Sequence, residues 1–403
     1  MSSLKLNGVN KLYPSGTLAL YDANFETGDK EFVVIVGAEE SGKSTLLRVI
    51  AGLDDVSDGQ IFIDGKDVTE VEPKDRDIAM IGRTNTLYPT LNVYDNMAFG
   101  LKLRKVSSAV IDQRVRATAK ILGLEDILFR KPKTLTSAQR QRVAIGRAIA
   151  REPKLYLLDE PLSGLDDKLK AELLGVIINM QARMEGTFIY ATKNLSEALT
   201  IGTRIIVMKK GTIQQIDTPL NLYDYPVNAY VAFYIGAPTI NFINNAKLTR
   251  TEEGVFAEEG EFRLKLSEKV VARFENIDEY IGSEKRVIVG IRPEDVKTVK
   301  GKGAEVGKTE NDGDDYYAEC KYAGKTLVVK TQKEQGAGSC GLEFDSDRVH
   351  LFDSETRLTL LSRDEGYKKT GFADADFKPL TFPEEEELLK TLKAKKAEKK
   401  KKK

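Results

Sequence analysis

The residues best suited to chemistry lie in two short clusters. The first is the loop Gly37-Ala38-Glu39-Glu40-Ser41-Gly42-Lys43-Ser44-Thr45, which fits the phosphate-loop pattern G-x-x-x-x-G-K-[ST] at Gly37, Gly42, Lys43 and Ser44. Successive main-chain N–H groups at a helix N-terminus form an anion nest. Lys43 adds a mobile cation for terminal phosphates, and the Ser44 hydroxyl is a ligand for Mg²⁺. The implied ligand is a nucleoside triphosphate. The second cluster, Asp159-Glu160, lies about a hundred residues further on. Asp159 suits Mg²⁺, directly or through water, and Glu160 suits polarising an attacking water. Tyr13, just before the turn Pro14-Ser15-Gly16, either stacks on an adenine ring or is a half-buried strand tyrosine.

Each cluster needs an element to hold it. The β-branched run Phe32-Val33-Val34-Ile35-Val36 reads as a strand buried on both faces of a parallel sheet, and Leu46 to Ala51 as a helix stopped by Gly52. The run Leu155-Tyr156-Leu157-Leu158 is a second such strand. In an open α/β sheet ligands gather at the carboxyl ends of strands, so Asp159 and Glu160 should face the crevice of the phosphate loop. Gly59 to Lys66 reads as a hairpin with an Asp-Gly turn, Asp77 to Ile81 as a strand, and Asn92 to Arg130 as an inserted helical subdomain. A helical run from Arg140 to Arg151 has Thr136 as its expected N-cap. A helix from Lys168 to about Met184, a strand from Thr187 to Ala191 and the loop Thr192-Lys193-Asn194 close the first domain. Later, Tyr316 to Tyr322 and Lys325 to Thr331 form a hairpin about Ala323-Gly324 in a β-rich segment.

Composition limits the alternatives. A chain of 403 residues is long enough for two or three domains, and 41% hydrophobic residues can supply their cores. Lys plus Arg equals Asp plus Glu at 62 each, so no global field selects nucleic acid or acidic partners. Cys320 and Cys340 are too few for a disulfide framework and lack zinc-type spacing; reduced thiols and no metal beyond nucleotide-bound Mg²⁺ are expected. The segment Met1 to Leu6 carries no long apolar signal region, and no apolar run approaches the roughly 20 residues of a bilayer crossing. Membrane association is therefore expected to run through a partner.

The order of these motifs resembles the ATP-binding subunit of an ABC transporter, from about Leu4 to about Leu361. The stretches Arg140-Gln141-Arg142-Val143-Ala144-Ile145-Gly146-Arg147-Ala148 and Asp159-Glu160-Pro161-Leu162-Ser163-Gly164-Leu165-Asp166 carry the likeness. Gly211 to Tyr225, Gly290-Ile291-Arg292-Pro293-Glu294 and Arg348-Val349-His350-Leu351-Phe352 are similar to the importers of maltodextrin, multiple sugars and glycerol phosphate. The resemblance implies an α/β P-loop NTPase domain, with a RecA-like core and helical subdomain, followed by a β-rich, OB-like regulatory domain. We expect boundaries at 1–236, 237–362 and a charged tail at 363–403. It further implies ATP and Mg²⁺, a head-to-tail dimer with itself or a paralogue, permease subunits, an indirect solute-binding protein and a place on the cytoplasmic face of the membrane. By position, Tyr13 stacks on adenine, and Lys43, Ser44 and Thr45 hold phosphates and Mg²⁺. Asp159 assists the metal, Glu160 is the base, and Asp166 lies at the dimer seam. His350, the only histidine, belongs to the second domain and is read as structural. A soluble ABC protein acting on DNA or ribosomes is disfavoured, because only one ATPase domain is present.

Four departures from the family pattern stand out. Ser137 and Ala138 occupy the adjacent glycines of the signature, where Cβ atoms obstruct a close backbone approach. Arg83 replaces a glutamine, Lys193 replaces a histidine, and Glu39 and Glu40 stand where small residues are usual. A carboxylate about 4 Å from a phosphate charge costs on the order of 4 kcal/mol at an effective dielectric near 20. Two added cations can offset two added anions, so one expectation is that Glu39 or Glu40 pairs with Arg83 or Lys193. The other is that all four are drifting residues of a decayed site on a retained fold. Because the composite sites that the resemblance implies draw on both protomers, these losses compound; slow or absent hydrolysis is expected, and with it a second functional reading as a regulatory or structural partner of an intact paralogue. In the tail, Glu384 to Leu392 opens as a helix ahead of five terminal lysines. This tail is a solvated terminus, an anchor to anionic lipid or a loose RNA contact.

Overall fold

The computed structural model describes residues 3–83, 86–184, 186–313, 315–364 and 367. The tail call, Glu384 to Leu392 and the lysines after it, lies outside them. The described chain forms two compact units, residues 3–219 and 220–367.

The first unit is built on a six-stranded sheet. Its order is Thr212–Asp217, Arg204–Lys209, Phe32–Val36, Thr187–Thr192, Leu155–Asp159 and Ile78–Ile81. All neighbours run parallel except the first pair. Phe32–Val36 is buried at every position, as its continuous apolar run requires of a strand covered on both faces. The register sets Val36 beside Thr192, Ala191 beside Asp159, and Leu158 beside Ile81. One edge of the sheet therefore carries, in spatial order, the phosphate loop, Lys193, Glu160 and the segment starting Gly82-Arg83.

A four-stranded antiparallel sheet, Leu18–Glu26, Leu4–Leu12, Asp58–Ile63 and Lys66–Asp67, accompanies it. The expected Asp-Gly turn is present, with φ of 51° at Asp64 and 73° at Gly65. The helix Lys43–Ala51 places Leu46, Leu47 and Ile50 in the core that unites both sheets. Arg76 closes its far end by donating to the carbonyls of Val49 and Ile50 at 2.9 Å each. The inserted subdomain contains Val93–Leu103, Ser108–Leu122 and Ser137–Ile149. The last of these starts before Arg140 because Thr136 and Gln139 complete a reciprocal capping box.

The second unit is β-rich, as expected. One sheet runs Phe262–Lys265, Gly254–Glu259, Asn241–Thr251, Val287–Ile291 and His350–Asp353; the other runs Lys325–Thr331, Asp315–Tyr322, Val296–Asp312 and Gly338–Phe344. The hairpin about Ala323-Gly324 pairs Tyr322 with Lys325. Cys320 is buried in this core with Cys340 packed at its edge; burial and a hydrogen bond between the thiols push Cys320 up to about 11. His350 stacks its ring on Phe352 with centroids 6.3 Å apart, and burial beside Arg292, Arg273 and Arg348 pushes its pKa down to about 3.

Asp295 gives this unit a pH response. Its Oδ1 accepts from Arg348 Nε at 2.9 Å while its buried Oδ2 has no partner among the described residues, and burial pushes its pKa up to about 6. The folded state then binds a proton more tightly than the unfolded chain. The resulting stability is present below about pH 4 and is lost as pH rises through about 6, by roughly 3 kcal/mol. In urea titrations at pH 5 and pH 8, Asp295→Asn is expected to shrink the gap between the two midpoints for this unit. An unchanged gap would exclude Asp295 as its source.

Candidate nucleotide-binding site

The phosphate loop owes its shape to close backbone contacts. A Cβ at Gly37 would sit 2.3 Å from the Met208 carbonyl oxygen. Gly42, at φ 101°, caps the helix Lys43–Ala51, and a Cβ there would meet the Ala19 carbonyl at 2.7 Å. Ser41 is buried, and its carbonyl accepts from the Gly211 N–H at 2.9 Å. Glu40 holds a left-handed φ of 62°, a conformation costly for a side chain with a Cβ. Ala38, Glu39 and Glu40 are all exposed, so the two acids sit on the solvent side of the loop.

Lys43 is 3% exposed, and its ammonium donates to the carbonyls of Gly37 at 2.7 Å and Ala38 at 2.8 Å and to Ser41 Oγ at 3.3 Å. Burial lowers its pKa, with Arg83 acting in the same direction against Glu160, Asp159 and Glu39. The next residue makes the central link: Ser44 Oγ donates to Asp159 Oδ1 at 2.9 Å across 115 positions. This pairs the loop hydroxyl with the strand-end carboxylate, a hard-oxygen donor set that fits Mg²⁺. Glu160, 5% exposed and at φ 46°, follows on the same strand end; its N–H donates to the Ala191 carbonyl at 2.9 Å.

The four expected acid–cation pairings resolve into one. Lys193 Nζ meets Glu39 Oε1 at 2.9 Å, which lowers the Glu39 pKa and raises that of Lys193. Arg83 takes Glu160 instead: its Nη2 lies 2.7 Å from Glu160 Oε1 and its Nε 4.0 Å from Asp159 Oδ1. Strand order explains both choices, because Lys193 leaves the strand beside the phosphate loop and Arg83 follows the strand beside Glu160.

The remaining expected residues make bonds of their own. Tyr13 is half-buried; its hydroxyl donates to Asp54 Oδ2 at 2.8 Å, with Thr45 a second hydrogen-bonding neighbour, and burial raises its pKa. Ser137 and Ala138 form the first turn of the helix Ser137–Ile149, where the Ser137 hydroxyl accepts from Arg140 Nη2 at 3.1 Å. Asp166 caps the helix Asp167–Arg183, accepting from the Leu169 N–H at 3.0 Å.

Sequence reasoning passed over several supports. Arg48 grips Asp54 through Nε and Nη2 at 2.8 and 2.9 Å, fixing the acid that Tyr13 uses. Glu197 accepts from the hydroxyls of Tyr190 at 2.9 Å and Thr192 at 2.7 Å, anchoring the backbone beside Lys193. Its signal was readable, since Asn194 and Glu197 have the spacing of an N-cap and its third helical residue. Gln141, buried, donates to the Pro161 carbonyl next to Glu160; it lies in a stretch that carries the family likeness, but no local pattern marks this bond.

A parallel sheet, a glycine-framed loop opening a helix, and a hydroxyl–carboxylate link between two strand ends define a P-loop nucleoside-triphosphate-binding protein. The ABC transporter family pattern matches residues 20–163, and the MalK OB fold domain matches residues 236–296. The oligosaccharides import ATP-binding protein MsmX of Bacillus subtilis is 42% identical over 377 residues, spanning 89% of this chain and all of that one. The trehalose/maltose import ATP-binding protein MalK of Thermococcus litoralis is 42% identical over 378 residues, spanning 88% of this chain and 99% of that one. Among solved structures, cbiO1 of Clostridium perfringens, part of the ABC transporter complex cbiONQ, matches with a TM-score of 0.52 at 29% identity over 55% of this chain and 90% of that one. The dimeric ATP-binding cassette MJ0796 bound to ADP and Pi matches at 0.50 and 29% identity over 53% and 98%. The chain belongs to the ABC transporter ATP-binding proteins that carry a MalK-type OB fold domain. Among its described residues no helix is long and apolar enough to cross a membrane.

Proposed function

We propose that this chain binds ATP with Mg²⁺ on its phosphate loop and drives the permease of a carbohydrate importer from the cytoplasmic face of the membrane. It acts as one half of an ATP-binding dimer, with itself or a paralogue. The Ser44–Asp159 hydrogen bond carries the reading, because it joins the loop to the strand-end carboxylate in the pairing that Mg²⁺–triphosphate recognition uses. End-to-end similarity to MsmX and MalK, whose names state oligosaccharide and trehalose/maltose import, supports the carbohydrate class. The dimeric MJ0796 cassette supports the pairing of two such subunits.

In this reading the loop amides, Lys43 and Thr45 hold the phosphates, Tyr13 stacks on the adenine, and Ser44 and Asp159 would hold the metal. Bound there, Mg²⁺ neutralises phosphate charge. Glu160 orients and polarises water, and Asp166 lies at the seam between subunits. Turnover is slow, because Ser137 and Ala138 present Cβ atoms where the family places glycine. The test is thermal unfolding of the full chain with millimolar ATP and MgCl₂. A ligand at about 100 times its Kd stabilises by about 2.7 kcal/mol, a gain of several degrees. No gain would refute ATP binding.

A further inference from the structure

The Arg83–Glu160 pair joins unlike partners. Glu160 is almost fully enclosed, with 5% of its side chain exposed, whereas Arg83 enters from solvent with 49% exposed. A half-exposed arginine is replaceable at modest cost, and a carboxylate that accepts its hydrogen bond at 2.7 Å is a weaker base with one acceptor site fewer for ordering a water. Arg83 also approaches Asp159, the partner of Ser44, and the Lys43 ammonium feels both Arg83 and Glu160. The guanidinium therefore stands at the mouth of the phosphate loop, within the field of any terminal phosphate held there. A carboxylate offers it one negative charge, and a terminal phosphate offers up to two with a bidentate face.

We infer that Arg83 is a latch on Glu160 that the terminal phosphate of a bound triphosphate releases. Without that phosphate the arginine keeps the carboxylate in an ion pair. With it the arginine transfers to the phosphate, and Glu160 becomes free to orient water. Arg83 is thus a positioning residue that ties release of the base to the presence of a third phosphate. The inference rests on the ATP-binding reading above and adds a role for a side chain the family pattern does not predict.

Competition between Glu160 and the phosphate for one guanidinium is measurable without turnover. Calorimetric binding of ATP and of ADP, in EDTA to suppress hydrolysis, would be compared for the full-length chain, E160Q, R83A and the double variant, with R83K as the conservative replacement. E160Q is expected to tighten ATP about fivefold or more where Arg83 is present and less than about twofold in the R83A background. ADP affinity should move less than about twofold throughout, and R83K should recover part of the ATP preference. In steady-state assays R83A should raise KM with kcat kept. Independent, additive effects of E160Q and R83A on ATP, or equal losses for ATP and ADP, would overturn the latch and leave ATP binding intact. A rise in kcat at unchanged KM would make Arg83 a simple block and also overturn it. Failure of the parent chain to bind either nucleotide, both in EDTA and with MgCl₂, would overturn both readings.

Discussion

Lys43→Ala is expected to weaken ATP binding about 10- to 150-fold, the equivalent of one or more charge-assisted hydrogen bonds to phosphate at about 1.5–3 kcal/mol each. The lysine donates to loop carbonyls at Gly37 and Ala38, so its charge is already at the position where phosphate oxygens would replace those carbonyls. Fold stability should change far less than affinity, because the helix Lys43–Ala51 is secured by Leu46, Leu47 and Ile50 beneath it. Calorimetry with ATP, beside thermal unfolding without nucleotide, separates the two effects. Lys43→Ala with parent-like affinity would remove Lys43 from phosphate binding.

Arg292→Leu is expected to destabilise the second unit by about 3–5 kcal/mol. The side chain is 1% exposed, and its Nη1 donates to the carbonyls of Ala232 at 2.9 Å and Ile235 at 2.6 Å, its Nη2 to that of Tyr223 at 2.9 Å. The guanidinium also lies 3.9 Å above the Tyr223 ring. Burial holds its pKa down to about 10, so it is charged at neutral pH. Leucine would leave three carbonyls without their donor, and lysine, with a point charge in place of a planar fork, should recover little. Urea unfolding followed by circular dichroism, with ATP protection of the first unit as a control, reads the loss. A change under about 1 kcal/mol would show that water or neighbouring N–H groups take over the carbonyls.

What was legible in the sequence was mostly what is local. Gly37, Gly42 and Lys43 act within nine consecutive residues, and the Thr136 cap and the Asp64-Gly65 turn depend only on their immediate neighbours. Partner choice was not local. Whether Arg83 would meet Glu39, Glu40 or Glu160 depended on which strand lies next to which, and the pairing that sets Arg83 beside Glu160 joins Ile78 to Leu155, segments far apart in the chain. Arg292 shows the same limit. It sits in a block that drew notice for its resemblance, yet its importance comes from the carbonyls of a short helix about 60 residues earlier. Tyr13 falls between these cases, since its place near the loop was foreseen and its bond to Asp54 was not.

The two sulfhydryls of the chain, Cys320 and Cys340, both belong to the β-rich unit, and the deeper one is pushed up to about 11 by burial. The half that carries the phosphate loop therefore contains no thiol. Alkylating agents and peroxide have no cysteine there to attack, and a single cysteine engineered onto its surface would be a selective point for attaching a reporter dye.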